Sequence, residues 1–263
     1  MSSRCRFQML SVITITYNNF TELKATLDSL KDRPLESIVI NGGNCPETKS
    51  FLESFTGSSL SESDEGISDA FNKGLDLSTG AYVTFLNSGD ILIDTSYYSE
   101  ALNIFKTRPE IDFVYADIEF NDIYAGPIRV NSGKTLPHMP FVHPTLIVRR
   151  DLFKKIGEFD VSLKIAMDLD FVYRMLRLGS RGQHIPRMVV RMDGTGISST
   201  NPIAVFREIF FVILKNKDFS LRSFFFLLTK GIALFFKLLI LAFKGESILR
   251  LYRIRKYGFK SKG

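Results

Sequence analysis

The feature that most constrains this chain is a rhythm. Short β-branched runs, each closed by a turn of Asn, Gly or Asp, alternate with segments whose apolar residues recur at helical spacing. Met9–Thr16 is rich in Val, Ile and Thr and runs into Tyr17-Asn18-Asn19, as a strand entering a loop does. Thr21–Leu30 carries Leu23, Leu27 and Leu30 at helical spacing, with Thr21 as the N-cap. Glu36–Ile40 predicts a second buried strand, ended by Asn41-Gly42-Gly43-Asn44. A helix around Glu47–Phe55, a loop through Ser61–Gly66 and a helix near Ser68–Leu77 follow. The apolar strand Ala81–Leu86 then stops at Asn87-Ser88-Gly89-Asp90. This alternation predicts an α/β fold on a doubly wound, mostly parallel sheet. In such sheets ligands bind outside the carboxyl ends of the strands, which nominates Thr16–Asn18, Asn41–Asn44 and Asn87–Asp90.

Composition adds a boundary. With 263 residues, 45% of them hydrophobic, the chain can bury one large α/β core with or without an appendage. Of its 34 Lys/Arg and 28 Asp/Glu, 13 and 3 lie in residues 201–263, so that segment carries +10 and the first 200 residues −4. The shift near Thr200 predicts a globular domain over 1–200 and a basic, hydrophobic extension over 201–263, attracted to something anionic. The cysteines, Cys5 and Cys45, are too few for a disulfide framework and point to a reducing compartment. The opening residues lack the uninterrupted apolar stretch and cleavage site of a signal peptide and read as mature sequence.

Residues able to carry chemistry each have two readings. Asp90 with Asn87 suits a hard cation such as Mg²⁺ or Mn²⁺, or an Asx-type turn. Asp168 and Asp170 begin a helix carrying Phe171, Met175 and Leu178; they are either charges favoured by the helix dipole or a general base and its neighbour. His143, before the strand Thr145–Val148, is structural or catalytic, and His138 and His184 have no zinc spacing with it. Lys73 can reach a phosphate or stand solvated on its helix. There is no Walker A loop, no Gly-x-Gly-x-x-Gly and no Gly-x-Ser-x-Gly elbow.

Taken in order, these segments resemble the family 2 glycosyltransferases, which have the GT-A fold. The matching pieces are Ser11–Asn19 (SVITITYNN), Ile38–Gly43 (IVINGG), Ser63–Gly74 (SDEGISDAFNKG) and Gly80–Asp90 (GAYVTFLNSGD). Further on come His143-Pro144, Arg149–Phe153 (RRDLF) with Ile156-Gly157, and Asp168–Asp170 (DLD) followed by Arg174. The resemblance implies a nucleotide-sugar pocket lined by Thr16, Asn18 and Asn41 and completed by Asp64, Asp69, Asn72 and Lys73. It implies that Asp90, with Asn87, binds Mn²⁺ or Mg²⁺, and that Asp168 is the catalytic base. His143, Asp170 and Arg174 fall on the acceptor side, with an acid beside Arg174 expected to stay ionised. Two positions depart from the family pattern: Asn41 stands where an aspartate usually contacts the base, and Asn87 replaces the first acid of the metal element.

Ser223–Phe243 is dense in Phe, Leu and Ile, yet Lys230 and Lys237 interrupt it. At about 100° per residue, Arg222, Lys230, Lys237 and Lys244 fall within an arc of roughly 80°. A basic stripe of this kind predicts a helix lying in the membrane interface; a spanning helix, or one that is buried or self-associating, is the alternative. The expectation is therefore an inverting glycosyltransferase of the cytoplasm, peripheral on the inner face of the cell membrane. It would take a nucleotide-sugar, with UDP-sugars favoured, and serve a lipid-linked or glycan acceptor in cell-surface glycan synthesis. No nucleic-acid-binding module accompanies the basic tail. Two rivals remain: a nucleotide-sugar-binding protein without turnover, motivated by Asn41 and Asn87, and a nucleotidyltransferase, whose Gly-rich basic first loop this chain lacks.

Overall fold

In the computed structural model the residues described are 9–120, 123–125, 139–192, 201–218 and 220–242. Cys5, His138, Lys244 and the basic residues beyond it lie outside them.

The N-terminal half forms as its rhythm dictates. Strands β1 (Leu10–Thr16), β2 (Glu36–Asn41), β3 (Ser58–Ser61) and β4 (Tyr82–Asn87) alternate with helices α1 (Phe20–Ser29), α2 (Pro46–Glu53) and α3 (Ile67–Leu77). Every residue of β1 is buried, as expected of a parallel strand covered on both faces. The sheet runs β3-β2-β1-β4 in parallel, with Thr16 beside Asn41 and Ile15 beside Asn87. That register sets the three nominated turns side by side on one edge. Helix α3 comes unusually close to the sheet: a Cβ on Gly74 would stand 2.2 Å from Ile13 Cγ2. Thr21 is not the N-cap of α1; Asn19 occupies that position, and its side chain makes no cap hydrogen bond.

The remaining strands turn the sheet mixed. β5 (Ile91–Leu92), helix α4 (Tyr97–Thr107), β6 (Phe113–Phe120), β7 (Ile123–Ala125), β8 (Ile147–Arg149), helices α5 (Asp151–Ile156) and α6 (Met167–Arg177), and β9 (Gly182–Met192) complete it. β8 lies antiparallel between β4 and β6, while β6 and β9 pair in parallel. The expected strand Thr145–Val148 is split: a 3₁₀ turn, His143–Thr145, precedes β8. Pro144 opens that turn, and Thr145 spends its hydroxyl on the Ala116 and Val142 carbonyls instead of continuing a ladder.

Two more helices close the described chain, α7 (Pro202–Lys215) and α8 (Leu221–Ala242). The division at residue 200 assigns both to the extension, yet Val212 and Ile213 of α7 are fully buried in the core that holds Phe71, Phe153 and Phe171. α8 packs on α7, with Gly231 against Phe206, and turns Leu221, Phe224, Phe225, Leu228, Ile232, Phe235 and Phe236 outward. Among the described residues no helix is long and apolar enough to cross a membrane.

Candidate active site

The turns at the ends of β1 and β2 form a cradle of backbone N–H groups and amides. Asn18 adopts φ 54°, and its Oδ1 accepts from the backbone N–H of Asn44 (2.7 Å) and Cys45 (3.0 Å). The Gly42 N–H donates to the Thr16 carbonyl at 3.1 Å. Gly43 is required by space, since a Cβ there would stand 2.5 Å from the Asn18 backbone nitrogen, whereas a Cβ at Gly42 would stand 1.6 Å from Asp64 Oδ2 and displace that carboxylate. Thr16, Asn18, Asn41 and Asp64 are thus brought together. Asn41, however, is fully buried with both ends of its amide in use, Oδ1 on the Gly43 N–H (3.1 Å) and Nδ2 on Ser61 Oγ (2.8 Å). It shapes the turn.

The remaining donor-side candidates are mostly engaged in holding loops. Asn72 clamps the backbone of Phe159 from both sides, donating to its carbonyl (2.9 Å) and accepting from its N–H (3.0 Å). Lys73 ion-pairs with Glu62 (2.9 Å) and Asp69 (3.0 Å) and donates to the Ser63 carbonyl. Asp69 also accepts from the Glu65 N–H.

At the end of β4, Asp90 is 4% exposed. Burial pushes its carboxyl up to about 7, and one oxygen accepts from the Asn87 N–H at 2.8 Å. The turn reading and the cation reading therefore share one carboxylate. Asp90 braces the turn by accepting from both the backbone N–H and the side chain of Asn87, while no hydrogen bond engages the Asn87 amide oxygen among the described residues. Two donor oxygens fit a sparse site for a hard cation completed by a diphosphate. Among the described residues no group of three or more acids, histidines or cysteines is placed to hold a metal ion.

The Asn87 amide nitrogen lies 3.2 Å from His143 Nε2. Since that nitrogen can only donate, Nε2 accepts and the ring proton sits on Nδ1, which faces Asp168 Oδ2 at 3.8 Å. Burial lowers His143 to about 4, so the ring is neutral at pH 7. An aspartate at position 87 has no proton to offer this ring; the departure from the family pattern has a physical partner here.

Asp168 stands in the first turn of α6 and caps it locally, accepting from the Leu169 N–H at 2.7 Å. It and His143 border a narrow cavity of about 10 Å³ walled by Phe71, Phe85, Phe159 and Phe171. That apolar wall desolvates the carboxylate and pushes it up to about 6. It remains mostly ionised at pH 7 but is a stronger base than an exposed aspartate.

Arg174 pairs with Asp170 and not with Asp168, contrary to the expectation that it keeps the base ionised. Positions 170 and 174 share a helix face whereas 168 and 174 do not. Arg174 Nε binds Asp170 at 2.8 Å, and its other nitrogens donate to the carbonyls of Ile156, Gly157 and Glu158. Asp170 is 0% exposed and also binds Lys215 (3.2 Å) and Asn216 Nδ2 (3.0 Å). Both residues tie α6 to its neighbours and face away from the cavity.

Sequence reasoning missed Glu208 of α7, whose carboxylate accepts from the backbone N–H groups of Lys164, Ile165 and Ala166. An acid in a segment with 13 basic residues and 3 acidic ones was the available signal. The aromatic wall left less trace, because its members lie far apart in the chain.

Comparison with known proteins fits this geometry. The profile of the family described as "Glycosyl transferase family 2" matches residues 11–157, more than half of the chain. A "PGL/p-HBAD biosynthesis glycosyltransferase" of Mycobacterium bovis (strain BCG / Pasteur 1173P2) is 28% identical over 178 residues, covering 63% of this chain and 69% of that protein. An uncharacterized glycosyltransferase of Mycobacterium tuberculosis (strain CDC 1551 / Oshkosh) is 27% identical over 213 residues, covering 76% and 81%. Among solved structures, S. aureus TarS 1–349 in complex with UDP-GlcNAc superposes with TM-score 0.62 at 21% identity, over 78% of this chain and 66% of that one. The mannosyltransferase PcManGT of Pyrobaculum calidifontis, in complex with GDP-Man and Mn²⁺, superposes with TM-score 0.63 at 19% identity, over 84% and 68%. These two likenesses speak to the fold.

Proposed function

The chain belongs to glycosyl transferase family 2, and we propose that it moves a sugar from a nucleoside-diphosphate sugar to an acceptor hydroxyl with inversion, Asp168 acting as the base. The observation that carries this reading is the run from the β4 turn through His143 to Asp168, with spacings of 3.2 and 3.8 Å. It joins the edge where a donor diphosphate would lie to a desolvated carboxylate of raised basicity. The Asp168 carboxylate takes the acceptor hydroxyl proton as that oxygen bonds to the anomeric carbon, and the bond from that carbon to the diphosphate oxygen breaks, its electrons leaving with the nucleotide. His143, a neutral ring, stands between the β4 turn and Asp168 and borders the same cavity. Phe71, Phe85, Phe159 and Phe171 keep bulk water from the base.

The donor pocket in this reading is the cradle of Thr16, Asn18 and Asp64 outside the carboxyl ends of β1 and β2, whose turn Asn41 shapes. Asp69, Asn72 and Lys73 support the loop beside it. A divalent cation, Mn²⁺ or Mg²⁺, held through Asp90 and the Asn87 amide oxygen, would offset charge on the departing diphosphate. The apolar outer face of α8 supports a peripheral place on the inner face of the membrane, where a lipid-linked acceptor would be presented. The direct test is transfer or donor hydrolysis with Mn²⁺ across a panel of UDP- and GDP-sugars. Binding without either reaction would reduce the protein to a nucleotide-sugar binder.

A further inference from the structure

We infer that Glu208, on α7 and beyond the residues that match the family profile, is a positioning residue that fixes the catalytic base in place. The inference rests on the reading of Asp168 as that base. The segment from Phe159 to Ala166 delivers Asp168 to the cavity, and it has no regular secondary structure of its own. Apart from a local turn in which the Ser162 and Leu163 N–H groups donate to Asp160, the segment is held by what grips it from outside. On the donor side α3 supplies the grip: Asn72 clamps Phe159, and Ser68 Oγ donates to the Leu163 carbonyl at 2.5 Å. Lys164 reaches back to the Glu65 carbonyl from the same segment.

On the opposite side the grip is Glu208. One carboxylate oxygen accepts from the Lys164 N–H at 3.0 Å; the other accepts from the Ile165 and Ala166 N–H groups, each at 2.8 Å. These donors lead directly into the first turn of α6, two residues before Asp168. Of the three donors only Ala166, the N-cap, belongs to the helix and supplies one of its free N–H groups; an anion at this end is favoured by the helix dipole. Charge-assisted bonds of this kind are about twice as strong as neutral ones. Three of them on consecutive amides fix both the position and the direction of the helix start. A second tie from α7, Lys215 Nζ to Asp160 at 2.6 Å, holds the far end of the same segment. The half-buried carboxylate of Glu208 also stands close enough to Asp168 to add to its raised basicity.

The test uses the full chain with Glu208→Ala, Glu208→Gln, Asp168→Asn and the double variant. Glu208→Ala should speed hydrogen exchange at the amides of 164–166 and lower kcat about tenfold to a hundredfold, the scale of a misplaced catalytic group, while donor affinity stays within about twofold. Glu208→Gln keeps the length and an accepting oxygen, so it should fall between wild type and Glu208→Ala in both readouts. In the Asp168→Asn background, Glu208→Ala should add little further loss, because both act through one group. Unchanged kcat in Glu208→Ala beside an inactive Asp168→Asn overturns the positioning role alone; so do losses that simply multiply in the double variant. A fully active Asp168→Asn removes the base assignment and this role with it.

Discussion

Two acids two residues apart on one helix have opposite fates, and the difference is set by direction. Asp168 faces an apolar cavity and Asp170 faces Arg174, Lys215 and Asn216. Asp168→Asn should leave donor affinity nearly intact and lower turnover by roughly 10²-fold or more, measured by steady-state transfer assays. The same variant makes a stability prediction. The native carboxyl is raised to about 6, so the folded protein holds its proton more tightly than the unfolded chain, and stability falls as pH rises from about 4 to about 6. Removing the charge should therefore stabilise the fold at pH 8, by on the order of 1–2 kcal/mol, with the gain vanishing near pH 4; thermal melting across pH reads it. At the β4 turn, Asp90→Asn should weaken Mn²⁺-dependent donor binding more than Asn87→Ala does, because the first removes a carboxylate that a bound cation would keep ionised and the second only a neutral oxygen. Calorimetric titration with and without Mn²⁺ separates them, and equal small effects would reduce Asn87–Asp90 to a turn.

At the scale of elements, the first βα turns and the last helix carry separate expectations. Gly42→Ala would force a Cβ into Asp64, so donor affinity should fall at least tenfold while the melting temperature changes little; fluorescence titration with a nucleotide-sugar checks it. In α8 the exposed apolar face and the described basic residues lie on different sides. Arg222 and Lys230 fall about 100° and 180° around the helix from the centre of that face, and Lys230 Nζ sits 5.4 Å over the Phe226 ring. A helix so built enters a surface with Phe224, Phe225 and Phe235 and directs its cations back toward headgroups. Replacing those three phenylalanines by serine should abolish flotation with anionic vesicles, whereas Lys230→Glu should weaken it and make it more salt-sensitive. Loss of a dimer in sedimentation with no change in flotation would assign the face to self-association instead.

For the whole molecule, the charge boundary and the packing boundary differ. Charge changes near Thr200, but Val212 and Ile213 complete the core and Glu208 grips the segment before the base. Truncation after Thr200 should therefore lower the melting temperature markedly and abolish transfer. Truncation after Asp218 keeps α7 and should leave a folded body that binds donor but serves a membrane-held acceptor poorly. Similar melting curves for the two truncations would return the boundary to 200.

What the residues alone determined is local and periodic. The β-branched runs and Asn/Gly turns dictate the parallel half-sheet, and its register alone sets Thr16, Asn41 and Asn87 at one edge; strand period and turn chemistry act within a few residues, so a single sequence displays them. The use of each side chain was decided only by the fold. Asn41 and Asn72 read as ligand contacts, but Asn41 is spent on the Gly43 N–H and the Ser61 hydroxyl and Asn72 on the backbone of Phe159. Arg174 pairs with Asp170 because helical geometry puts 170, and not 168, on its face. The basicity of Asp168 comes from four phenylalanines drawn from α3, β4, a loop and α6, and the grip of Glu208 spans 42 to 44 residues of chain. Desolvation and hydrogen bonding depend on what lies within a few ångströms, and only the tertiary structure assigns those neighbours.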